Sequence, residues 1–371
     1  MKTKMSTFRA EHVGSFLRPY TLMEALNSYR EGKLDAEGFE AAQNEAISSV
    51  VQMQESLGLK SITDGEFRRR GWSAGFIDSV DGFGLREGAI GFKKEGIEQA
   101  AELSPYAAKK LSRRGSIVVN DFRFLKSSVR LGRPKVTIAS PSVMHYFLGP
   151  RSFNQKVYRD KDNYFEDLIR IYREEIQELA KEGCEFLQLD DTALPCNCDP
   201  RFRSEVSSRG EDPDQLTEFY SEVINRIVAG RPKSMKVAIH MCRGNLKGTW
   251  MADGGYEPIA DKLFHNTNID GWFLEYDTNR AGDFSPLKFM PENKFVVLGL
   301  LSTKTPKLEN KDEIKRRIED AEQFIPIENL CISPQCGFSS APGRGQVLTI
   351  DDQIRKLTLL LEIAEEIWKD T

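Results

Sequence analysis

Four residues have the types from which a soft metal centre is built: His240 and Cys242 in the run IHMC, Glu275 in FLEYD, and Cys336 in SPQCG. Each closes an apolar run of strand length. Zinc favours nitrogen and sulfur donors in a tetrahedral set, so one imidazole, two thiolates and one carboxylate suit it. Two thiolates and a carboxylate more than neutralise the dication, leaving a mild Lewis acid that still deprotonates a bound thiol. The chemistry expected is activation of a thiol. Taken singly, a histidine at a strand end is usually a hydrogen-bonded core residue and a buried cysteine usually a small hydrophobe. The zinc reading therefore rests on all four residues occupying matching strand ends. Cys196 and Cys198 in LPCNCD form a rival Cys-x-Cys pair that lacks a second pair nearby, and Cys184 and Cys331 sit in contexts that suggest packing.

Other strand ends carry polar groups that a plain core would reject. Ser15 closes EHVGS, Glu66 lies in TDGEF, and Asp190 and Asp191 follow LQL. Carboxylates such as Glu66 and Asp190 can hold an ammonium group, while Ser15, the backbone of Gly14 and Arg18 can hold a carboxylate. Together they describe a site for an amino acid. The competing reading pairs Glu66 with Arg68 or Arg69 and has Asp191 cap a loop through Thr192.

Donors at the ends of separate strands meet only if a curved sheet brings those ends together. Eight strands are expected, over Arg9 to Ser15, Lys60 to Glu66, Val136 to Ser140, Glu185 to Asp190, Lys236 to Met241, Gly271 to Glu275, Phe295 to Leu301 and Leu330 to Pro334. Helical stretches alternate with them, the pattern of parallel strands joined by crossover helices. The fold class expected is α/β, a (β/α)8 TIM barrel, with functional residues at the C-terminal ends of its strands. Asn163 to Lys181 places Phe165, Leu168, Ile169, Tyr172, Ile176 and Leu179 on one face and stops at Gly183. Asp35 to Leu57 ends similarly at Gly58, and Thr349 with Asp352 resembles a capping box opening a helix that runs to Trp368.

The region 72–134 breaks this rhythm with the charged runs KKEG and KKLSRR and an alternating run SIVVNDFRFL. It reads as an insertion between strands two and three, a helix and a hairpin over the barrel mouth within a single domain spanning 1–371. Hydrophobic residues make up 40% and charged residues 29% of the chain, with formal net charge -4. That balance calls for neither nucleic acid nor an anionic membrane. No apolar signal core opens the chain and no run reaches the roughly 18 residues of a membrane span, so a cytoplasmic location is expected. Six cysteines then read as thiols or metal ligands rather than a disulfide framework.

The motifs HVGSFLRP, DGEFRR, LQLDD, IHMC, FLEYD and SPQCGF occur in order over nearly the whole chain. Together they resemble the catalytic, C-terminal barrel of the cobalamin-independent methionine synthase family, the 5-methyltetrahydropteroyltriglutamate homocysteine methyltransferases. The resemblance implies that His240, Cys242, Glu275 and Cys336 bind zinc, which captures the homocysteine thiol. It further implies that Ser15, Glu66 and Asp190 bind the amino-acid end of homocysteine or methionine, with Glu66 and Asp190 the catalytic carboxylates and a methyltetrahydrofolate as donor. STKTP resembles a shorter, single-barrel branch of the family. The chain departs from the full-length pattern in three ways. The second barrel is missing; Ser140, Pro141 and Ser142 stand where a pterin-stacking tryptophan is expected; and Leu301 or Ser302 stands where the family has a catalytic histidine. Transfer from a sulfonium or methylcorrinoid donor, a non-catalytic thiol amino-acid binding protein, and a metal-free decarboxylase are the rival readings.

Overall fold

Apolar runs bounded by turn residues become strands that pair in chain order. The computed structural model describes residues 8–88, 93–94, 97–98, 103–246, 248–339 and 347–369. Ser61–Ile62, Arg133–Ala139, Phe186–Asp191, Lys236–Met241, Gly271–Glu275, Phe295–Leu301 and Leu330–Pro334 form one seven-stranded sheet, parallel at every step. The sheet curls so far that its two edges share a neighbour: Ala10 pairs in parallel with Ile332, and Ser15 with Gly65. Alternation along the strands separates two layers. Leu187, Ile239, Trp272, Val296 and Ile332 join the large core beneath the helices, while Phe186, Ala238, Phe273, Val297 and Cys331 form a second cluster.

The helices form where the sequence supplies both an apolar face and a cap. Lys161–Lys181 buries Phe165, Leu168, Tyr172, Ile176 and Leu179, and its first turn is closed by the Asp160 carboxylate accepting from Asn163 N at 2.8 Å. Asp35 caps Ala36–Leu57 through Gly38 N, and Gly58, at φ 97, ends that helix in the left-handed conformation glycine favours. Thr349 and Asp352 form a reciprocal capping box at the start of Ile350–Trp368. None of the helices is long and apolar enough to cross a membrane, among the described residues.

Four expected strands have the expected bounds, and the departures have local causes. Segment 9–15 is not a continuous strand. Its pairing is confined to two bridges, and side chains replace ladder bonds between them, as when Thr63 Oγ1 donates to Gly14 O at 2.6 Å. Lys60 to Glu66 shrinks to Ser61–Ile62, because Gln54 takes the Thr63 N–H and carbonyl and the chain then turns through Gly65 and Glu66, both at positive φ. The alternating run SIVVNDFRFL is not part of a hairpin; it leads into a helix, Val119–Ser128. The buried Glu175 carboxylate accepts from the N–H groups of Ile117, Val118 and Val119, an anion at a helix start. Val119, Phe122 and Leu125 then lie buried at helical spacing. The hairpin in this region is made by Val80–Glu87 and Leu103–Arg113, paired antiparallel, after a short helix Ala74–Asp78. The side chains of KKEG all lie outside the described residues; the backbone of Lys93–Lys94 pairs antiparallel with Ile97–Glu98.

Segment 9–15 is secured by a buried charge. Lys135 Nζ donates to the His12 carbonyl and stands 3.2 Å from Glu11 Oε2, while Ser61 Oγ donates to Glu11 Oε1 at 2.6 Å. Both charged side chains are almost wholly excluded from water. Removing one partner of such a pair strands the other. Lys135→Met is therefore expected to lower unfolding free energy by about 3–5 kcal/mol in denaturant titrations, with Lys135→Met/Glu11→Gln recovering part of the loss.

Candidate active site

The curl of the sheet brings the donors together from strands that are not neighbours, Lys236–Met241 and Leu330–Pro334. The parallel register sets His240 beside Asp190. Cys242 follows that strand, with its N–H donating to Asp191 O at 3.3 Å, and Cys336 follows Leu330–Pro334, where Gln335 N donates to Leu301 O at 2.8 Å. A register shift between Gly299 and Leu301 lets this last turn approach: a Cβ on Gly299 would lie 2.8 Å from Gln335 Cα. The donor atoms of His240, Cys242 and Cys336 lie within 4.8 Å of one another, all three residues buried, and the two sulfurs are 3.6 Å apart. One imidazole and two thiols converging in this way fit a thiophilic divalent cation. Cys196 and Cys198 are buried but stand outside this cluster. Cys184 and Cys331 pack in the core, and all six cysteines are free thiols.

The electrostatics favour one sulfur of the pair as an anion, since Cys336, donating to Cys242 and buried, is itself pushed well above the ordinary thiol range. Donation from Cys336, opposed by burial and aided by His240, brings the Cys242 thiol down to about 5. Burial works against a charge on His240, yet Cys242 and Asp190 outweigh it and raise that imidazole to about 10. His240 Nδ1 lies 3.1 Å from Asp190 Oδ1 and Nε2 3.3 Å from Gln335 O. A carboxylate at one ring nitrogen fixes the ring's orientation and raises the basicity of the other.

Glu275 stands outside the three-donor cluster. Its Oε2 accepts from Arg243 N at 2.7 Å and its Oε1 from Arg280 Nη2 at 2.6 Å, with Lys304 Nζ at 3.9 Å. Burial opposes its charge, but Lys304, Arg280 and Arg243 outweigh it and hold the carboxyl down to about 2. The sequence reading missed these cations. At the end of strand seven, where Leu301 or Ser302 was the expected occupant of a catalytic position, both are buried and the charge delivered is that of Lys304.

A cavity of about 250 Å³ runs from the sulfur cluster past Ser15, Glu66, Asp190 and Asp191. Glu66 pairs with Arg69, as one of its two readings has it, and also reaches the cavity lining. It faces the cavity, and its Oε1 accepts from Thr137 Oγ1 at 2.8 Å with Arg69 Nη1 at 3.5 Å. Burial raises its carboxyl above the ordinary range. Its backbone, at φ 61, is in a region that non-glycine residues rarely occupy. Asp190 Oδ1 also accepts from Gln188 Nε2 at 2.7 Å. Asp191 is largely structural, accepting from Leu194 N at 2.8 Å and from Ser142 Oγ. Arg18 does not line the cavity: its guanidinium is spent on the Glu66 and Arg69 carbonyls, 2.7 and 3.1 Å away, and on Ser339 Oγ. It holds the Glu66 turn from behind. The lining also takes in Trp72 and Phe147, with Leu103 and Pro105 of the hairpin, and among them the polar Arg70, Ser73 and Ser104.

Residues 8–351 match the family model described as the catalytic domain of cobalamin-independent synthase. The chain belongs to this family. It is 36% identical to the uncharacterized protein YxjH of Bacillus subtilis, over 99% of this chain and 97% of that one. A solved structure from Listeria monocytogenes, provisionally assigned as a vitamin-B12 independent methionine synthase, superposes with a TM-score of 0.77 at 34% identity, covering 97% of this chain and 98% of the other. The methionine synthase of Pyrococcus furiosus is 26% identical over 88% of this chain and 85% of its own length.

Ser15 is placed by a close approach that only glycine permits. Its Oγ accepts from Ser339 N at 3.4 Å, and a Cβ on Gly337 would come within 1.9 Å of that oxygen. Gly337→Ala is expected to turn the hydroxyl out of the cavity and to cost about 1–3 kcal/mol of stability, as overpacking does. A variant structure with Ser15 in place and unchanged denaturation would contradict this.

Proposed function

We propose that the protein is a zinc-dependent methyltransferase that moves a methyl group to the thiol of homocysteine to give methionine. Family membership supports the methyltransferase. What carries the finer reading is the convergence of His240, Cys242 and Cys336 at the base of a cavity shared with Glu66, Asp190 and Ser15. Segment 9–15 acts as the eighth stave of a closed TIM barrel, and the helix and hairpin within 72–134 form part of its mouth in a single catalytic domain. A cytoplasmic setting, reducing toward thiols, suits this site.

Zinc held by His240, Cys242 and Cys336 would supply the Lewis acidity that keeps a substrate thiol ionised near neutral pH, well below its ordinary value of about 8.5. The remaining work falls to the chain's own residues. Glu66 and Asp190 bind the substrate ammonium, and the Ser15 hydroxyl meets its carboxylate. Asp190 also holds the His240 ring, so substrate binding and donor orientation share a side chain. Glu275, at the end of the adjacent strand Gly271–Glu275, would be the fourth donor to such an ion. Trp72 and Phe147 offer the donor an aromatic wall and exclude water from the transfer. The sulfur lone pair forms the new S–CH3 bond as the donor's bond to that methyl breaks, its electron pair staying with the leaving group. A methyltetrahydrofolate is the leading donor.

One observation favours a second reading. His240 is the sole histidine facing the cavity among the described residues, and its ring is engaged by Asp190 and Gln335. A departing folate nitrogen needs a proton, whereas a sulfonium leaves as a neutral thioether and needs none. Purified protein supplied with homocysteine and, in parallel, methyltetrahydrofolate mono- and polyglutamates, a sulfonium or a methylcorrinoid should form methionine with one of them. Tight homocysteine binding without turnover on any donor would instead support a binding protein.

Metal analysis is expected to give about one zinc per chain, since a structural or catalytic zinc site takes one ion. Chelation should abolish methionine formation and zinc should restore it. Cys336→Ala should lose activity by roughly 100-fold or more, exceeding the 10–100-fold typical of removing a supporting residue. Full activity in zinc-free Cys336→Ala protein would sink the proposal.

A further inference from the structure

The two thiol-bearing turns are joined by a polar clasp that lies outside the donor set. Thr303, buried in the loop after Phe295–Leu301, donates from both its N–H and its Oγ1 to Gln335 Oε1, at 2.9 and 2.6 Å. Its hydroxyl in turn accepts from Asn245 Nδ2 at 2.8 Å, and that amide also donates to Gly337 O at 3.3 Å. Asn245 follows Cys242 by three residues, while Gln335 and Gly337 flank Cys336. One hydroxyl thus bonds to both turns at once. The loop that carries it is fixed from behind. Ser302 N donates to Glu309 Oε1 at 2.8 Å, and the buried Lys356 ammonium donates to both oxygens of that carboxylate at 2.9 Å.

Gln335 carries the cost of this arrangement. Because its Oε1 must face two donors, Nε2 is turned away, buried and without an acceptor among the described residues. A buried donor with no partner is costly, and an apolar side chain of similar size would avoid it. What the amide secures is the turn itself, whose carbonyl stands 3.3 Å from His240 Nε2 and whose next residue is Cys336. Two sulfurs bound to one tetrahedral zinc at about 2.3 Å stand about 3.8 Å apart. The Cys242 and Cys336 sulfurs are 3.6 Å apart. We propose that Thr303 is a positioning residue that, through Asn245 and Gln335, holds these two sulfurs at the separation a shared metal ion requires. The loop after strand seven then serves the metal turn, with neutral hydrogen bonds and no proton transfer. This inference rests on the metal-dependent reading above and concerns the two sulfurs alone.

Competition with a chromogenic chelator reads zinc affinity, and the thiolate charge-transfer bands of the cobalt(II)-loaded protein read the sulfur donors. Thr303→Val keeps the side chain's size and the backbone N–H but removes the hydroxyl. It is expected to weaken zinc binding roughly tenfold or more and to reduce the cobalt thiolate absorbance. Thr303→Ser should restore both, which a merely space-filling role would not require. Asn245→Ala cuts the same clasp from the Cys242 side and should also weaken zinc binding. Combined with Thr303→Val it should lose less than the product of the two separate losses, because the two residues act through one contact. Asn245→Ala carries the test if Thr303→Val does not fold. Wild-type zinc competition and cobalt spectra in the folded variants, or a Thr303→Ser protein no better than Thr303→Val, would overturn the inference while leaving the metal-dependent function intact. Failure of the wild-type protein to take up zinc or cobalt would remove both.

Discussion

The contact between His240 Nδ1 and Asp190 Oδ1 ties the two halves of the site together. It exists because the parallel register puts these residues side by side on adjacent strands, their side chains on the same face of the sheet. A one-residue slip would send one of them to the helix-covered face. The same register therefore sets the imidazole's orientation and the position of a carboxylate that lines the cavity. Gln188, two residues earlier on that face, braces the carboxylate and reaches the Val13 carbonyl, which links the arrangement back to segment 9–15.

Charge burial extends the same logic along the sheet. At the lower end Lys135 and Glu11 neutralise each other and anchor the segment that carries Ser15. At the upper end Glu275 is balanced by Lys304, Arg280 and Arg243. Such pairs are costly to desolvate and are weak evidence for stability in themselves. Their value here is geometric, since each resists displacement of a side chain that the site uses. Glu66 belongs to the same set: Arg69 and Thr137 hold its carboxylate from one side, while Arg18 secures its backbone carbonyl.

Much of this was legible in the sequence because it depends on local patterns. Strand ends could be read where a compact apolar run stopped at a polar residue, as at Glu275, or just before a polar or thiol side chain, as at Met241, Leu301 and Pro334, and helix starts where Asp35 or Thr349 preceded an amphipathic stretch. His240, Cys242 and Cys336 stood out because soft donors at strand ends are uncommon. Interactions between distant segments were not legible. The helix at Val119–Ser128 owes its start to Glu175, a residue far along the chain, so alternation within the run was a poor guide. Arg18 sits beside Ser15 in sequence yet is drawn behind the Glu66 turn by two carbonyls. Lys304 looked like one loop lysine among several, since nothing local reveals that its ammonium is buried beside Glu275.

The distribution of charge also bears on the donor. Glu66, Asp190 and Asp191 are buried acidic groups of the cavity lining, while Trp72, Phe147 and Leu103 are less buried aromatic and aliphatic groups of it, with the exposed Arg70 cation also in the lining. On the proposed function, an amino-acid nucleophile would use these carboxylates for its ammonium, leaving the aromatic part of the lining to the donor. Ser140, Pro141 and Ser142 place no aromatic ring at the end of strand three, but Trp72 provides one from the region before the hairpin. An aromatic face favours a flat heterocycle by stacking and an onium group by cation–π attraction. The wall alone thus leaves both donor classes possible, and the discriminating feature is proton demand. With the cavity's histidine engaged at both nitrogens, a leaving group that departs neutral places the smaller requirement on the residues present.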